Sequence, residues 1–509
     1  MLSESSSAVP SQAGRREWIG LAVIALPCLL YSMDLTVLNL AVPYLSADLR
    51  PTSAQLLWIV DIYGFVLAGL LIPMGTVGDR IGRRRLLMMG AGAFGIASVF
   101  AAFSQSAEML IAARAVLGVA GATLAPSTLS LIRNMFVDPK QRTMAISVWI
   151  TSYSVGGAIG PLLGGVLLNH FWWGSVFLIG VPVMLLLLIA GPVLLPEFRD
   201  PTPRPIDVVS AGMSLATVLL VIYGVKRIAQ GETGWLSASS IVSGLGLGAL
   251  FVHRQRVLPQ PMIDLRLFRV RAFSVALGAY TLATFIAFGV FLFISQYLQL
   301  VRGLTPLQAG IYMLPIFLSF IVGPLIVSRL ARHARPVTLM SGGLVLAAIG
   351  FLVLNRVGVN SGLWVVVAGS VLYCLGLSPP FLLTTDIVVS SAPPERAGVA
   401  AALSETGSEL GGALGVAVLG SIGTAIYRSA MDRGVPSGVS VEAANVARGT
   451  LGGAVAVVEQ LPAHVGTELL VAARAAFTRA FEVASLTCVV VALITALAVA
   501  VLLRRSATE

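Results

Sequence analysis

The sequence predicts an all-α polytopic membrane protein, and three observations support this fold class. Hydrophobic residues make up 57 % of the 509 residues and charged residues only 11 %, with a mean hydropathy of +0.92. Soluble domains carry about a quarter charged residues, so this chain has too few to cover the surface of a large soluble protein. Long apolar runs recur along the chain, and basic residues gather on one side of them. Together these observations exclude a soluble enzyme, a disordered protein and a fibrous protein.

Apolar runs of spanning length divide the chain into three groups. A transmembrane helix needs about 20 mostly apolar residues. Six such runs lie within 18–195, two lie within 207–252 after a charged, proline-rich break, and six lie within 272–503. We therefore predict fourteen transmembrane helices: an N-terminal six-helix bundle, two inserted linker helices and a C-terminal six-helix bundle. Residues 1–17 are predicted to form a polar N-terminal tail in the cytoplasm.

The basic residues predict how these helices are oriented in the membrane. With the N-terminus in the cytoplasm, the cytoplasmic segments hold 22 Lys or Arg residues and the short external loops hold five. Cytoplasmic loops carry such an excess in membrane proteins, so both termini are predicted on the cytoplasmic side of the cell membrane. The orientation of the helices in the lipid bilayer then accounts for the net charge of +10, and no nucleic-acid partner is expected.

The longest predicted external segment is the loop 428–476, within the C-terminal bundle. Residues 441–461 and 467–481 have helix-forming composition, so we expect a folded hairpin or interfacial helices there, with a flexible spacer as the alternative. The three cysteines and four histidines lie at no metal-ligand spacing. The sequence therefore predicts neither a metal site nor a cofactor.

Several ionisable residues fall inside the predicted spans, where each costs about 2.5–3.5 kcal/mol on insertion scales. The ones singled out are Asp34, Asp61, Arg114, Glu405 and Glu409. The last two are four residues apart and therefore share one helix face. We interpret the acids as proton or cation sites around a water-filled central cavity, with Arg114 as a pairing residue. The alternative is a structural buried ion pair, such as Asp34 with Arg114.

Aromatic residues border these acids or lie in neighbouring spans. An acid beside aromatic faces suits a bulky lipophilic cation, through charge attraction and cation–π contact. Interfacial belts also use Trp and Tyr, so each residue could instead anchor the protein in the membrane. The candidate cavity aromatics are Tyr31, Trp58, Tyr63, Trp149, Tyr153 and Phe381.

The junction between the second and third spans reads GTVGDRIGRRRLL. Its glycines allow a tight turn, and Asp79 could lie against a helix N-terminus of the other bundle. The arginines from Arg83 onward could pair with acids such as Asp138. Contacts that form only when the cytoplasmic side is shut would act as a latch, whereas the alternative is a plain positively charged loop. The candidate gating residues are Gly75, Asp79, Arg80, Gly82 and Arg83.

This junction resembles the signature of the major facilitator superfamily, and other motifs agree in order along the chain. The fourth span has the spacing L-x-x-x-R-x-x-x-G around Arg114, and the first span has D-x-T-x-x-N-x-A-x-P from Asp34. The latter is similar to the fourteen-span drug:proton antiporter family of this superfamily. The fifth span resembles the antiporter signature through Gly156, Gly160, Pro161, Gly164 and Gly165.

The resemblance implies a major facilitator fold and a monomeric transporter rather than an enzyme. QacA-type and LfrA-type members export quaternary ammonium compounds, cationic dyes and, in some cases, fluoroquinolones in exchange for protons by alternating access. It also implies that Asp34, Asp61, Glu405 and Glu409 serve proton coupling and drug recognition. The tenth span lacks an acid that some members have. The alternatives are a proton-coupled exporter of an endogenous metabolite, lipid or self-made antibiotic, and a membrane receptor that transports nothing.

Overall fold

The computed structural model describes residues 13–199, 207–229, 234–259, 261–263, 265–390 and 397–506. Within these ranges the chain is helical and contains no β-strand. Most of the predicted tail 1–17 lies outside the described residues. The helices are α1 (Arg15–Leu49), α2 (Ser53–Ile81), α3 (Arg83–Ala102), α4 (Ala107–Met135), α5 (Pro139–His170), α6 (Ser175–Leu178), α7 (Gly180–Leu194), α8 (Val208–Ala229), α9 (Trp235–Val257), α10 (Arg271–Gln296), α11 (Pro306–Leu330), α12 (Pro336–Leu354), α13 (Leu363–Ser390), α14 (Ala397–Gly434), α15 (Val441–Gly449), α16 (Leu451–Val458) and α17 (Ala463–Ser506).

The predicted count of membrane crossings is confirmed. Fourteen helical segments of the described chain are long and apolar enough to span a membrane. The sixth crossing is made by α6 and α7 in succession, and α10 ends in a π-helical turn at Tyr297–Val301. Because the number of crossings is even, α1 begins and α17 ends on the same side, which we call the terminus face. The opposite side, which bears α15 and α16, is called the loop face.

The helices form two six-helix bundles, as predicted from the sequence. The N-terminal bundle consists of α1–α7, and the C-terminal bundle consists of α10–α14 and α17. Polar side chains define several helix starts: Thr52, Ser106, Asp138 and Thr305 each accept a hydrogen bond from the backbone N–H three residues further on. Such caps satisfy donors that the helix itself leaves unpaired, which fixes where these spans begin.

The inserted helix α8 packs against both bundles. It contacts α2 and α14, and a buried apolar cluster joins Phe65 of α2, Ile222 of α8 and Ala413 and Ala417 of α14. α9 packs mainly on α8. The inserted pair therefore covers the seam between the two bundles on the side of α2 and α14.

A polar bracket holds the inserted pair together at the terminus face. Arg254 donates to the carboxylate of Asp207 at 3.0 Å and to Ser210 Oγ at 3.1 Å, and Gln255 donates to Ser210 Oγ at 2.7 Å. Burial acts to raise the pKa of Asp207, but the hydrogen bonds from Ser210 and Arg254 outweigh it and lower the pKa below its usual value. Asp207 is therefore ionised at neutral pH and keeps α8 attached to α9.

The predicted external loop is shorter than the sequence indicates, and it is folded as expected. α14 continues to Gly434 and α17 begins at Ala463, so the stretch 467–481 belongs to the last spanning helix rather than to the loop. Between them, α15 and α16 form a compact hairpin whose helices begin at caps from Ser440 and Thr450. This is the folded hairpin expected as one alternative, not a flexible spacer.

The two bundles contact each other closely near the loop face. Ser295 of the C-terminal bundle donates to the backbone oxygen of Asn39 in α1 at 2.8 Å. A Cβ added at Gly165 of α5 would lie 2.7 Å from Leu307 Cα of α11, and one added at Gly310 would lie 2.8 Å from the backbone oxygen of Pro161. Backbones this close leave no passage between α5 and α11, so the loop face is closed along this seam.

Candidate functional site

The most buried charge in the predicted site is the guanidinium of Arg114, in the N-terminal bundle. Its side chain is 1 % exposed and pairs with Asp34 through an Nη1–Oδ2 contact of 2.5 Å. Arg114 Nε also donates to the backbone oxygen of Ile59 at 3.1 Å. An unpaired charge at this depth would be expensive, and the carboxylate partner offsets part of that cost. The ion pair that the sequence left as an alternative for these two residues is therefore present.

Asp34 lies within the N-terminal bundle and not in the space between the bundles. Its side chain is 14 % exposed and borders a small cavity with Phe94 and Ser98 of α3 and Phe177 of α6. Asp61, one helix away, is 2 % exposed. Asp34 thus lies away from the interface where the two glutamates lie. Asp61 is on the face of α2 that packs on α14, between Leu57, which adjoins Gly420, and Gly64, which adjoins Ala413.

Glu405 and Glu409 occupy the surface of α14 that faces the N-terminal bundle. Both lie within electrostatic range of Tyr153 of α5, and the Tyr31 hydroxyl of α1 lies close to the Glu409 carboxylate. Glu405 is exposed and Glu409 partly exposed, although α14 packs against α2, α10 and α17. Exposed carboxylates on an internal helix indicate a solvent-accessible space between the bundles.

A continuous set of contacts connects the Asp34–Arg114 pair with Glu409. The Arg114 guanidinium lies 4.8 Å from the ring centroid of Tyr63, which is fully buried. The rings of Tyr63 and Tyr31 are 6.2 Å apart, and Tyr31 contacts Glu409 as described above. The sequence identified each of these residues but not the order in which they touch.

The remaining predicted aromatics fall into different places. Trp149 and Tyr153 pack edge to face at 4.9 Å, and Tyr153 is 5.4 Å from Tyr31, which places this group on the N-terminal wall of the space. Trp58 instead packs at the junction of α2, α8 and α14. Phe381 lies in the C-terminal bundle. It packs beside Tyr280 and Phe320, two aromatic residues that the sequence analysis did not identify.

The gating motif is held within the N-terminal bundle. Asp79 near the end of α2 pairs with Arg83 at the start of α3, across the turn at Gly82. Arg84 and Arg85 both approach the carboxylate of Glu197, at 3.7 and 3.9 Å. These partners differ from the expected ones, since the described contacts of the motif's side chains stay on their own bundle. Among the residues that the structure describes, a latch across the terminus face is therefore not engaged.

Gly82 and Gly75 shape the turn of the gating motif. Asp138, the acid suggested as a partner for the arginines, caps a helix instead. Gly82 has φ +114°, a conformation that side-chain-bearing residues rarely adopt. Gly75 lies near Pro126 of α4. Arg80 accepts a hydrogen bond at its backbone oxygen from Arg199 at 2.6 Å. Asp138 caps α5 by accepting from the backbone N–H of Gln141 at 3.0 Å, so it serves a helix terminus in this conformation.

The antiporter motif of α5 brings helix backbones together on two sides. Gly156, Gly160 and Gly164 face α1, where added Cβ atoms would meet Leu29, Thr36 and Val37 respectively. Gly165, as noted above, faces α11 of the other bundle. Small residues at this spacing allow close helix packing in membranes. α5 therefore packs closely on α1 within the N-terminal bundle and on α11 of the C-terminal bundle.

Two six-helix bundles with a polar and aromatic site at their interface define a membrane transporter. Residues 24–416 match the family model of the Major Facilitator Superfamily, and the chain belongs to that family. It is similar to the multidrug efflux pump LfrA of Mycolicibacterium smegmatis, with 45 % identity across 96 % of this chain and 97 % of that protein. It is 37 % identical to the methyl viologen resistance protein SmvA of Salmonella typhimurium, across 92 % of this chain and 94 % of that one.

The fold also matches a solved transporter structure. A bacterial homologue of the lysosomal transporter Spinster, in an inward-facing and unoccupied conformation, superposes with a TM-score of 0.67 over 97 % of this chain and 98 % of that one. Identity between the two is 17 %, so the likeness concerns the fold alone.

Proposed function

We propose that this protein is a proton-coupled multidrug efflux antiporter that exports lipophilic cations by alternating access. The main support is the pair of carboxylates, Glu405 and Glu409, that face the space between the bundles beside aromatic rings. Such a surface attracts a positive charge and offers it π-faces, so it favours large, weakly hydrated cations such as quaternary ammonium compounds and cationic dyes. The similarity to a multidrug efflux pump and a methyl viologen resistance protein agrees with this substrate class.

The proposal includes a direction of transport. The excess of basic residues on the terminus face supports a cytoplasmic location for both termini in the cell membrane. A protein closed at the loop face would then receive its cargo from the cytoplasm and release it outside. One chain contains both bundles and the complete site, which supports a monomeric transporter.

The contacts in the site suggest how protons and cargo are coupled. While Asp34 is ionised, Arg114 is held by it, and Glu409 is available to a cation. A proton on Asp34 weakens its hold on Arg114, and the change reaches Glu409 through the rings of Tyr63 and Tyr31. Protons taken up from outside at these acids would then displace the cation and be released in the cytoplasm after the bundles rock back. Asp61 is proposed to assist proton uptake.

Ethidium transport tests the proposal directly. We expect everted vesicles containing the protein to accumulate ethidium when a proton gradient is imposed and to stop when an uncoupler collapses it. Vesicles without the protein provide the background. If accumulation continues at the same rate after the uncoupler, the proton coupling is wrong; if no cationic dye is moved at any gradient, the substrate class is wrong.

We infer that the Tyr31 hydroxyl, which lies close to the Glu409 carboxylate, donates a hydrogen bond to it, and a phenylalanine at this position removes that bond. We expect Tyr31→Phe to lower proton-driven ethidium transport by about tenfold, because a hydrogen bond to a charged group contributes about 1.5–3 kcal/mol. Tyr63→Phe is the matched control, since Tyr63 Oη has no hydrogen-bond partner among the described residues and its ring remains over Arg114. Equal transport rates for the two variants would argue against the Tyr31 contact as part of the coupling.

The gating motif is proposed to cross to the other bundle only when the terminus face closes. Asp79→Ala should then favour the conformation open at that face. Nitroxide labels at Asn134 and His333, which are exposed on the two bundles, would report this as a shift toward longer distances by double electron–electron resonance. A distance distribution identical to that of the labelled wild type would contradict the latch.

A further inference from the structure

The small cavity beside Asp34 is lined entirely by residues of the N-terminal bundle. They come from α1, α3, α6 and the first residue of α7, Gly180. Among the described residues that line it, Asp34 is the only titratable group and Ser98 is the only other polar side chain. The cavity has room for one water molecule, and a carboxylate and a hydroxyl are groups that can bind a water there. We call it the Asp34 cavity.

One oxygen of the Asp34 carboxylate is left for this cavity. Its Oδ2 is held by Nη1 of Arg114. Its Oδ1 accepts no hydrogen bond from a residue that the structure describes, and the side chain keeps an exposed fraction of 14 % inside the bundle. A proton donor in the cavity can therefore reach Oδ1 without displacing Arg114.

The ion pair separates the Asp34 cavity from the space between the bundles. Phe177, which lines the cavity, has its ring centroid 5.9 Å from the guanidinium carbon of Arg114. Tyr63 lies 4.8 Å from the same carbon and begins the contacts that lead to the glutamates. A proton that reaches Asp34 from the cavity therefore does not have to cross the surface where the cargo is proposed to bind.

The Asp34 cavity lies close to the loop face. Ser98 is about one turn before the end of α3 at Ala102, and Phe177 belongs to the single turn of α6. Further toward the loop face, Trp172 donates to the backbone oxygen of Ala102 at 3.2 Å, and a Cβ added at Gly174 would lie 2.0 Å from the same oxygen. In this conformation these contacts join the two chain segments that lie between the cavity and the loop face.

We propose that protons from the loop face reach Asp34 through a water in this cavity, and that Ser98 positions the water. The water receives a proton from solvent at the loop face and gives one to Asp34 Oδ1. The carboxyl becomes neutral, Arg114 keeps its charge and the water is restored. This inference rests on the proposed function and adds to it a proton path that is separate from the path of the cargo.

Gly180 allows the cavity to be filled by a single methyl group. A Cβ added there would lie 3.3 Å from Phe94 Cε1 and 3.4 Å from Ser98 Oγ, which are side-chain atoms, so Gly180→Ala occupies the place of the water without meeting backbone. Gly95→Ala is the matched control between the same two helices, α3 and α7. Its Cβ would lie 3.6 Å from Met184 Cβ, outside the cavity. Ser98→Ala instead removes the hydroxyl and leaves the volume.

Two assays on the full-length protein in proteoliposomes separate proton entry from cargo movement. Uptake of radiolabelled ethidium driven by a proton gradient requires Asp34 to be protonated. Exchange of labelled for unlabelled ethidium requires only that the loaded protein changes conformation. We expect Gly180→Ala to slow driven uptake about tenfold and Ser98→Ala about threefold, because the water is displaced or loses a partner. Exchange should change less than about twofold, and Gly95→Ala should match the wild type in both assays.

A solvent isotope effect adds a readout that a structural defect would not move. Driven uptake by Gly180→Ala and Ser98→Ala should slow more in deuterium oxide than uptake by the wild type, since proton entry becomes the slow step. Equal losses in driven uptake and exchange would overturn the path, as would wild-type driven uptake in both variants. Either result leaves the proposed function intact. A wild type that shows no proton-driven uptake would overturn the proposed function and the path together.

Discussion

Asp34→Asn is expected to abolish proton-driven transport. Asparagine can still accept a hydrogen bond from Arg114, but it carries no charge and takes up no proton at cellular pH. The guanidinium, 1 % exposed, would then be a buried charge without a counter-ion, and removing one partner of a buried pair costs about 3–5 kcal/mol. That corresponds to a change of about a hundredfold or more in a conformational equilibrium. Transport should therefore fall to background.

Two assays on the same vesicles separate coupling from binding. Uphill ethidium uptake driven by a proton gradient should vanish, whereas ethidium binding should weaken without being lost, because asparagine mimics the protonated Asp34 while the Glu409 carboxylate remains. Asp48→Asn is the matched control on the same helix: Asp48 accepts a hydrogen bond from Trp173 at 2.7 Å, which asparagine also accepts. If the Asp34→Asn variant takes up ethidium at the wild-type rate, Asp34 is not part of the proton pathway.

Most of the fold could be predicted because the bilayer imposes it. Backbone groups in lipid must be satisfied within each segment, so apolar length alone gives the number of crossings. Composition was less informative at the loop face, where the stretch 467–481 continues the last helix outside the apolar run. Its polar residues reduce hydropathy, but α17 packs there against α16 and α14. Helical structure persists where protein contacts replace lipid, and hydropathy does not record such contacts.

The sequence predicted most of the residues of the site but not how they are arranged. Residues such as Asp34 and Glu409 can be identified because they are charged inside an apolar run. Inserting a charge into the membrane costs free energy, so such residues usually have a function. Hydropathy gives depth in the membrane but not the direction in which a side chain points. Asp34 therefore could not be separated from the glutamates by sequence. Tyr280 and Phe320 were missed because an aromatic ring in an apolar helix is equally suited to face lipid, another helix or a cavity.

The close approach of α5 to α1 should be a sensitive packing contact of the N-terminal bundle. A Cβ added at Gly156 would lie 2.9 Å from the backbone carbon and 3.0 Å from the Cα of Leu29, and closer still to the backbone oxygen. Backbone atoms cannot move aside as a flexible side chain can. A single methyl group must therefore separate two helices that position Tyr31 and Tyr153.

Gly156→Ala is accordingly expected to lower ethidium transport to near background and to reduce thermal stability, since overpacking typically costs about 1–3 kcal/mol. The neighbouring Gly157→Ala provides the matched control, because the atoms nearest to its added methyl group belong to side chains, the hydroxyl of Ser32 at 3.3 Å and the ring of Phe317 at 3.8 Å. Transport and melting temperature should be measured on both purified variants after reconstitution. If both variants behave alike, backbone contact at Gly156 does not limit the geometry of the site; if only Gly156→Ala fails, the helix crossing itself sets the distance between the cargo-binding rings.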